Sequence, residues 1–149
     1  MAYTGAEGTY LKSTDITDFL AKELVDADAP HVPSCFVFAD ASVLRVAGKN
    51  NVSAGSIRLN DDGSLYDCFL KEYAITAFNW KLYKGYSGAF NFTDTGSLSD
   101  SSAYDKYDKM AQECEAQMIR LDAQITPSTI TGTATDSKGY AATVDFLRG

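Results

Sequence analysis

Four groups of residues have the types that chemistry needs. Asp94-Thr95-Gly96 is a triplet that can present an aspartate for acid–base work, in which two such aspartates share one proton and activate a water. The chain holds a single copy, and no long apolar strand leads into it. Asp61-Asp62-Gly63 suggests a calcium loop. Placing Gly63 at that loop's glycine puts Arg58 at the first ligand and Phe69 where a bidentate glutamate belongs, so the pattern fails at both ends. The only histidine, His31, lies between Pro30 and Pro33, and no Gly-x-Ser-x-Gly elbow supplies it with a nucleophile. Cys35, Cys68 and Cys114 are odd in number and far apart, unlike the paired cysteines of zinc sites and disulfide frameworks. Each falls on or beside the apolar stripe of a helical segment and reads as a small buried hydrophobe. With no P-loop, dinucleotide fingerprint or His-Cys cluster, neither cofactor, metal nor catalysis is expected.

Composition narrows the remaining classes. At 149 residues the chain is long enough for one domain with a core that needs no disulfide. Its net charge of −7 opposes phosphate-backbone binding, which requires clustered Lys and Arg. No apolar run reaches the ~20 residues that span a bilayer, and the first residues lack a basic-then-apolar signal, so cytoplasmic synthesis without a membrane is expected.

The elements that would position any site begin with 64–83, SLYDCFLKEYAITAFNWKLY. Leu65, Phe69, Tyr73, Ala77 and Trp80, with Tyr66, Leu70, Ala74, Phe78 and Leu82 beside them, give a helix apolar over more than half its circumference. Ser64 is expected to cap it, and Gly85 to close it. A short helix capped by Ser13 or Thr14 should precede it, burying Ile16, Phe19, Leu20 and Leu24, with Val25 at the edge of the same face. Before that, Met1 to Gly8 reads as a loose tail. Residues 34–48 fit a helix started by Pro33 and stopped by Gly48, with a strand as the alternative for the Cys35-Phe36-Val37-Phe38 opening.

Residues 85–100 read as a Gly- and Ser-rich loop holding Phe90 and Phe92. A long helix follows, with a seam at Tyr104, Tyr107, Ala111, Cys114, Met118, Leu121 and Ile125, stopped by Thr126-Pro127. Thr129 to Ala134 and Tyr140 to Phe146, separated by Asp136-Ser137-Lys138-Gly139, carry a hairpin signature. The expected fold is therefore mainly α: about four helices around a long central one over 1–126, with a β-hairpin or extended arm over 127–149. Phe90, Phe92, Tyr140, Val144, Phe146 and Leu147 are the expected partner interface.

Tyr10-Leu11-Lys12-Ser13-Thr14-Asp15-Ile16 with Phe19-Leu20, and the Leu70, Tyr73, Ala74, Ala77 stripe, make the chain similar to head-to-tail connector (adaptor, or head-completion) proteins of tailed bacteriophages. The resemblance covers residues 10–124 as an order of elements. It implies a virion protein of the neck and no catalysis. It also implies a homo-oligomeric ring, usually of about twelve copies, bound beneath the portal protein and meeting the tail or a further completion protein. DNA would slide through without specific binding, past carboxylates drawn from Asp105, Asp108, Glu113, Glu115 and Asp122. The arm over 127–149 would dock on the portal or a neighbour. The alternatives are a monomeric or dimeric binding or regulatory protein that recruits its partner through the hairpin, and an aspartyl hydrolase centred on Asp94.

Overall fold

The computed structural model describes residues 3–27, 31–93 and 98–132, with backbone alone over 87–93 and 98–104. Among them the chain is mainly helical: α1 (Phe19–Asp26), α2 (Val32–Lys49), α3 (Cys68–Thr93), α4 (Leu98–Asp122) and α5 (Pro127–Thr131). One isolated antiparallel bridge, Leu59 to Leu65, is the extent of extended pairing among the described residues.

The helical reading of 34–48 holds. Cys35, Phe36, Ala39, Val43, Val46 and Ala47 recur at helical spacing and are all buried. Pro33 sits in the first turn, where its missing N–H costs nothing. The helix ends one residue beyond Gly48, at Lys49, with Asn50 as its cap and Asn51 at a left-handed φ of 62°. There the Val52 N–H reaches back to the Ala47 carbonyl at 2.8 Å and the Asn51 N–H to Gly48 at 3.0 Å, a doubly bonded helix terminus.

α3 is the central helix, but both of its expected ends move. Ser64 is occupied by the preceding turn, donating its N–H and hydroxyl to Asp62 Oδ1 at 2.9 and 2.6 Å. Asp67 caps instead, accepting the Leu70 N–H at 3.1 Å. At the other end the helix runs through Gly85 to Thr93. Gly85 is a point of close approach, because a Cβ there would meet the His31 ring at 2.7 Å. Residues expected to form the 85–100 loop are thus largely helical, and 94–97, with Asp94-Thr95-Gly96, lie outside the described residues.

α3 packs against both α2 and α4, most extensively against α4. Phe36 meets Phe78 at 4.7 Å between ring centroids, while Tyr83 and Tyr86 meet Tyr107 at 6.1 and 5.4 Å. Lys49 at the end of α2 pairs with Asp122 at the end of α4, so these two helices run in the same sense on either side of antiparallel α3. Two further expectations are overturned. Tyr3 is buried and packs on Phe36, and Asp40 of α2 accepts the N–H groups of Thr9 and Tyr10 at 2.8 and 3.0 Å, so 3–10 is a clasped segment and no loose tail. The first helix begins one turn later than expected, capped by Asp18, whose Oδ2 accepts the Ala21 N–H; Ser13 to Asp15 form a short 3-10 turn before it.

Thr126-Pro127 opens a helix. Thr126 and Thr129 satisfy each other's backbone N–H groups, Pro127 occupies the first turn, and Gly132 closes α5 at φ 75°. Thr129 to Thr131, expected to begin the first hairpin strand, are therefore helical, and Ile130 is buried in the main core. The remainder of the expected hairpin, from 133 onward, lies outside the described residues.

Candidate functional site

Because α2 and α4 both lie on α3 and meet through Lys49 and Asp122 at their C-terminal ends, a groove of about 340 Å³ is left between them. Tyr73 and Trp80 of α3 form its floor, Phe38 and Arg45 its α2 wall, and Glu115 and Met118 its α4 wall. Phe38 stacks on Trp80 at 5.3 Å, and the Arg45 guanidinium donates to the Tyr73 hydroxyl at 3.1 Å. Arg45 and Glu115 form no ion pair among the described residues, although the groove sets them on facing walls. The groove ends at the Lys49–Asp122 pair, where Asp122 Oδ1 is buried without a hydrogen-bond partner among the described residues. An aromatic floor with opposite charges on its walls suits an amphipathic side chain or helix face.

Large apolar side chains are also exposed on α2 and α4. Val37 and Leu44 on α2 are 68% and 44% exposed, with Ala41 and Gly48 in line with them, and Ile119 on α4 is 68% exposed. Ile119 lines the groove itself, whereas Val37 and Leu44 lie about 100° round α2 from the groove-lining Phe38 and Arg45.

A second cavity, about 300 Å³, lies between α3, α4 and the start of α1, and is lined by Asp18, Asn79, Tyr83, Glu113, Cys114 and Gln117 among others. Glu113 and Gln117 stand well round α4 from Glu115, Ile119 and Asp122, so the two cavities flank α4 on opposite sides. Here Tyr83 donates to Asp18 Oδ2 at 2.7 Å; burial, followed by that bond to a carboxylate, pushes the Tyr83 phenol well above its ordinary range. Burial likewise raises the Cys114 thiol to about 11 and the Cys35 thiol to about 12. These are structural thiols in an apolar setting. Cys68, expected to be buried, is exposed in the first turn of α3.

The structure disperses the expected acids. Asp108 pairs with Lys84 at 3.6 Å and Asp122 with Lys49, whereas Asp105, Glu113 and Glu115 are exposed. Of the five, only Glu115 and Asp122 share the groove. Phe90 and Phe92 belong to the backbone of α3 and not to a loop; Tyr140, Val144, Phe146 and Leu147 lie outside the described residues. His31 is structural: its Nε2–H donates to the Leu82 carbonyl at 3.3 Å and its ring meets Tyr86 edge-on at 4.7 Å. Among the described residues no group of three or more His, Cys, Asp or Glu side chains is placed to hold a metal ion.

Sequence reasoning missed the groove and Phe19. Phe19, expected on the buried face, is 75% exposed. A finer angular reading would have found it, since Ala21 and Val25, the buried residues of α1, lie on the far side of the helix from Phe19. The groove left no such signal, because it joins residues from three helices. Compared with protein-family models, curated proteins and solved structures, the chain matches none.

Proposed function

We propose that the chain is a structural virion subunit, forming an adaptor ring between the portal and the tail of a phage particle and extending the DNA channel. The observation that supports this reading is the presence of two unlike apolar surfaces on different sides of one helical body. One is the α2–α4 groove with exposed Ile119 at its edge; the other is exposed Phe19 of α1, next to Asp18, which lines the cavity on the other flank of α4. Unlike surfaces make head-to-tail contacts, and a head-to-tail contact that closes gives a ring. In such a ring Asp105 and Glu113, which have no ion pair among the described residues and do not line the groove, are the carboxylates available to repel DNA; Asp108 and Asp122 are held by lysines and Glu115 lies in the groove.

The test is sedimentation of the purified chain with portal rings, or with tailless DNA-filled heads, from the same source, counting bound copies. Binding at a fixed stoichiometry near that of the portal supports the connector. A chain that stays a lone monomer or dimer beside the portal overturns it and favours the smaller binding protein.

A further inference from the structure

The groove and the exposed phenylalanine match one another in chemistry. Phe19 projects from the first turn of α1 at 75% exposure. It does not line the groove of its own chain, and its neighbour Asp18 lines the cavity on the other flank of α4. Lys22 and Glu23, the next turn of α1, stand on either side of Phe19 at about 100° per residue. Both are exposed; Lys22 is held only by Asp26 within its own helix, at 3.3 Å, and Glu23 has no ion pair among the described residues. The groove mirrors that order: an aromatic floor at Trp80, a cation on one wall at Arg45 and an anion on the other at Glu115.

We propose that Phe19 of one copy inserts into the α2–α4 groove of the next, with Glu23 reaching Arg45 and Lys22 reaching Glu115. This rests on the connector reading for its occupant, a second copy of the chain. The contact is heterologous, because knob and hole occupy different parts of the surface, and it can be repeated around a ring. It has the form of an interface hot spot, an aromatic anchor in a pocket with charged pairs at its rim.

The experiment uses the full chain with Phe19→p-benzoylphenylalanine, a photo-crosslinking side chain of similar shape, as a mixture of isotopically heavy and light copies assembled on portal rings. Crosslinked peptides are mapped by mass spectrometry. In parallel, copies bound are counted for Phe19→Ala, Arg45→Glu, Glu23→Arg and the double exchange. The expected result is heavy-to-light crosslinks from position 19 to residues 38–45 or 115–122. Phe19→Ala should then weaken assembly by about tenfold or more; Arg45→Glu and Glu23→Arg should each weaken it, and their combination restore it. Full assembly with crosslinks elsewhere, or a full ring from Phe19→Ala, overturns this contact and leaves the connector reading standing. If the chain does not bind portal rings, the connector reading fails. The free chain then decides the contact: position 19 crosslinked to the groove of a second copy keeps it, and no intermolecular crosslink at any concentration removes it.

Discussion

The hydroxyl of Tyr83 and the backbone N–H of Ala21 converge on the same oxygen, Oδ2 of Asp18, at 2.7 and 3.2 Å. One carboxylate thereby caps α1 and ties it to α3, fixing the direction in which Phe19 projects. Tyr83→Phe should cost about 1.5–3 kcal/mol, the worth of one hydrogen bond to a charged group. Asp18→Ala should cost more, about 2–4 kcal/mol, since it removes the cap and leaves a buried hydroxyl unpaired. Urea unfolding midpoints of the two variants measure this; equal losses would show that the shared oxygen is not what couples the helices.

Alkaline pH should loosen the same region. The Cys114 and Cys35 thiols stand at about 11 and 12 in the folded chain against an ordinary 9.0, chiefly through burial. A raised pKa means that the unfolded chain releases its proton first. The contribution is therefore intact below about pH 9 and is lost as pH rises through the folded values. The buried Tyr83 phenol adds to the loss above its ordinary 10.0. Cys114→Ala should show a shallower decline of stability between pH 9 and about 11 than the parent chain; parallel declines would remove Cys114 as a contributor.

Gly85 and His31 offer a test of close approach inside a helix. Alanine at 85 is a better helix former by about 1 kcal/mol, yet its Cβ would lie 2.7 Å from His31 Cδ2 and 2.8 Å from Nε2. Gly85→Ala alone should destabilise by about 1–3 kcal/mol through overpacking. In a His31→Ala background the same change should be neutral or stabilising. Thermal unfolding of the four chains completes the cycle, and a loss that persists without the imidazole would point to another obstacle.

α5 should behave as part of the helical body. Ile130 is completely buried, and Arg58 donates its N–H to the Ile130 carbonyl at 3.0 Å. Ile130→Ala should cost about 2–4 kcal/mol. A chain ending at residue 126 should lose more stability than one ending at 132, with chemical denaturation as the measure. Equal stability of the two truncations would make α5 an appendage.

Thiol accessibility gives a simpler check. Cys68 is exposed, Cys114 half-buried and Cys35 fully buried. With a chromogenic disulfide reagent one thiol should react fast, Cys68→Ser should abolish that phase, and Cys35 should react only as the chain unfolds. A fast phase that survives Cys68→Ser would contradict the placement.

Some of this protein was decided locally. α2 follows from Pro33, the 3–4 spacing of Phe36, Ala39, Val43 and Ala47, and a polar stop, because helix entry and amphipathic periodicity are near-neighbour properties. The stripe of α3 is of the same kind. What only the tertiary structure decided are the features in which a residue has more than one use. Gly85 reads as a terminator, yet its missing side chain makes room for His31 and the helix continues. Ser64 reads as a cap, yet Asp62 occupies it and Asp67 takes over. Thr126-Pro127 reads as a stop and also starts α5. The groove belongs to this second class entirely: Arg45, Trp80 and Glu115 come from three helices, and their meeting depends on how α2 and α4 settle against α3, an outcome of packing that no single stretch of sequence encodes.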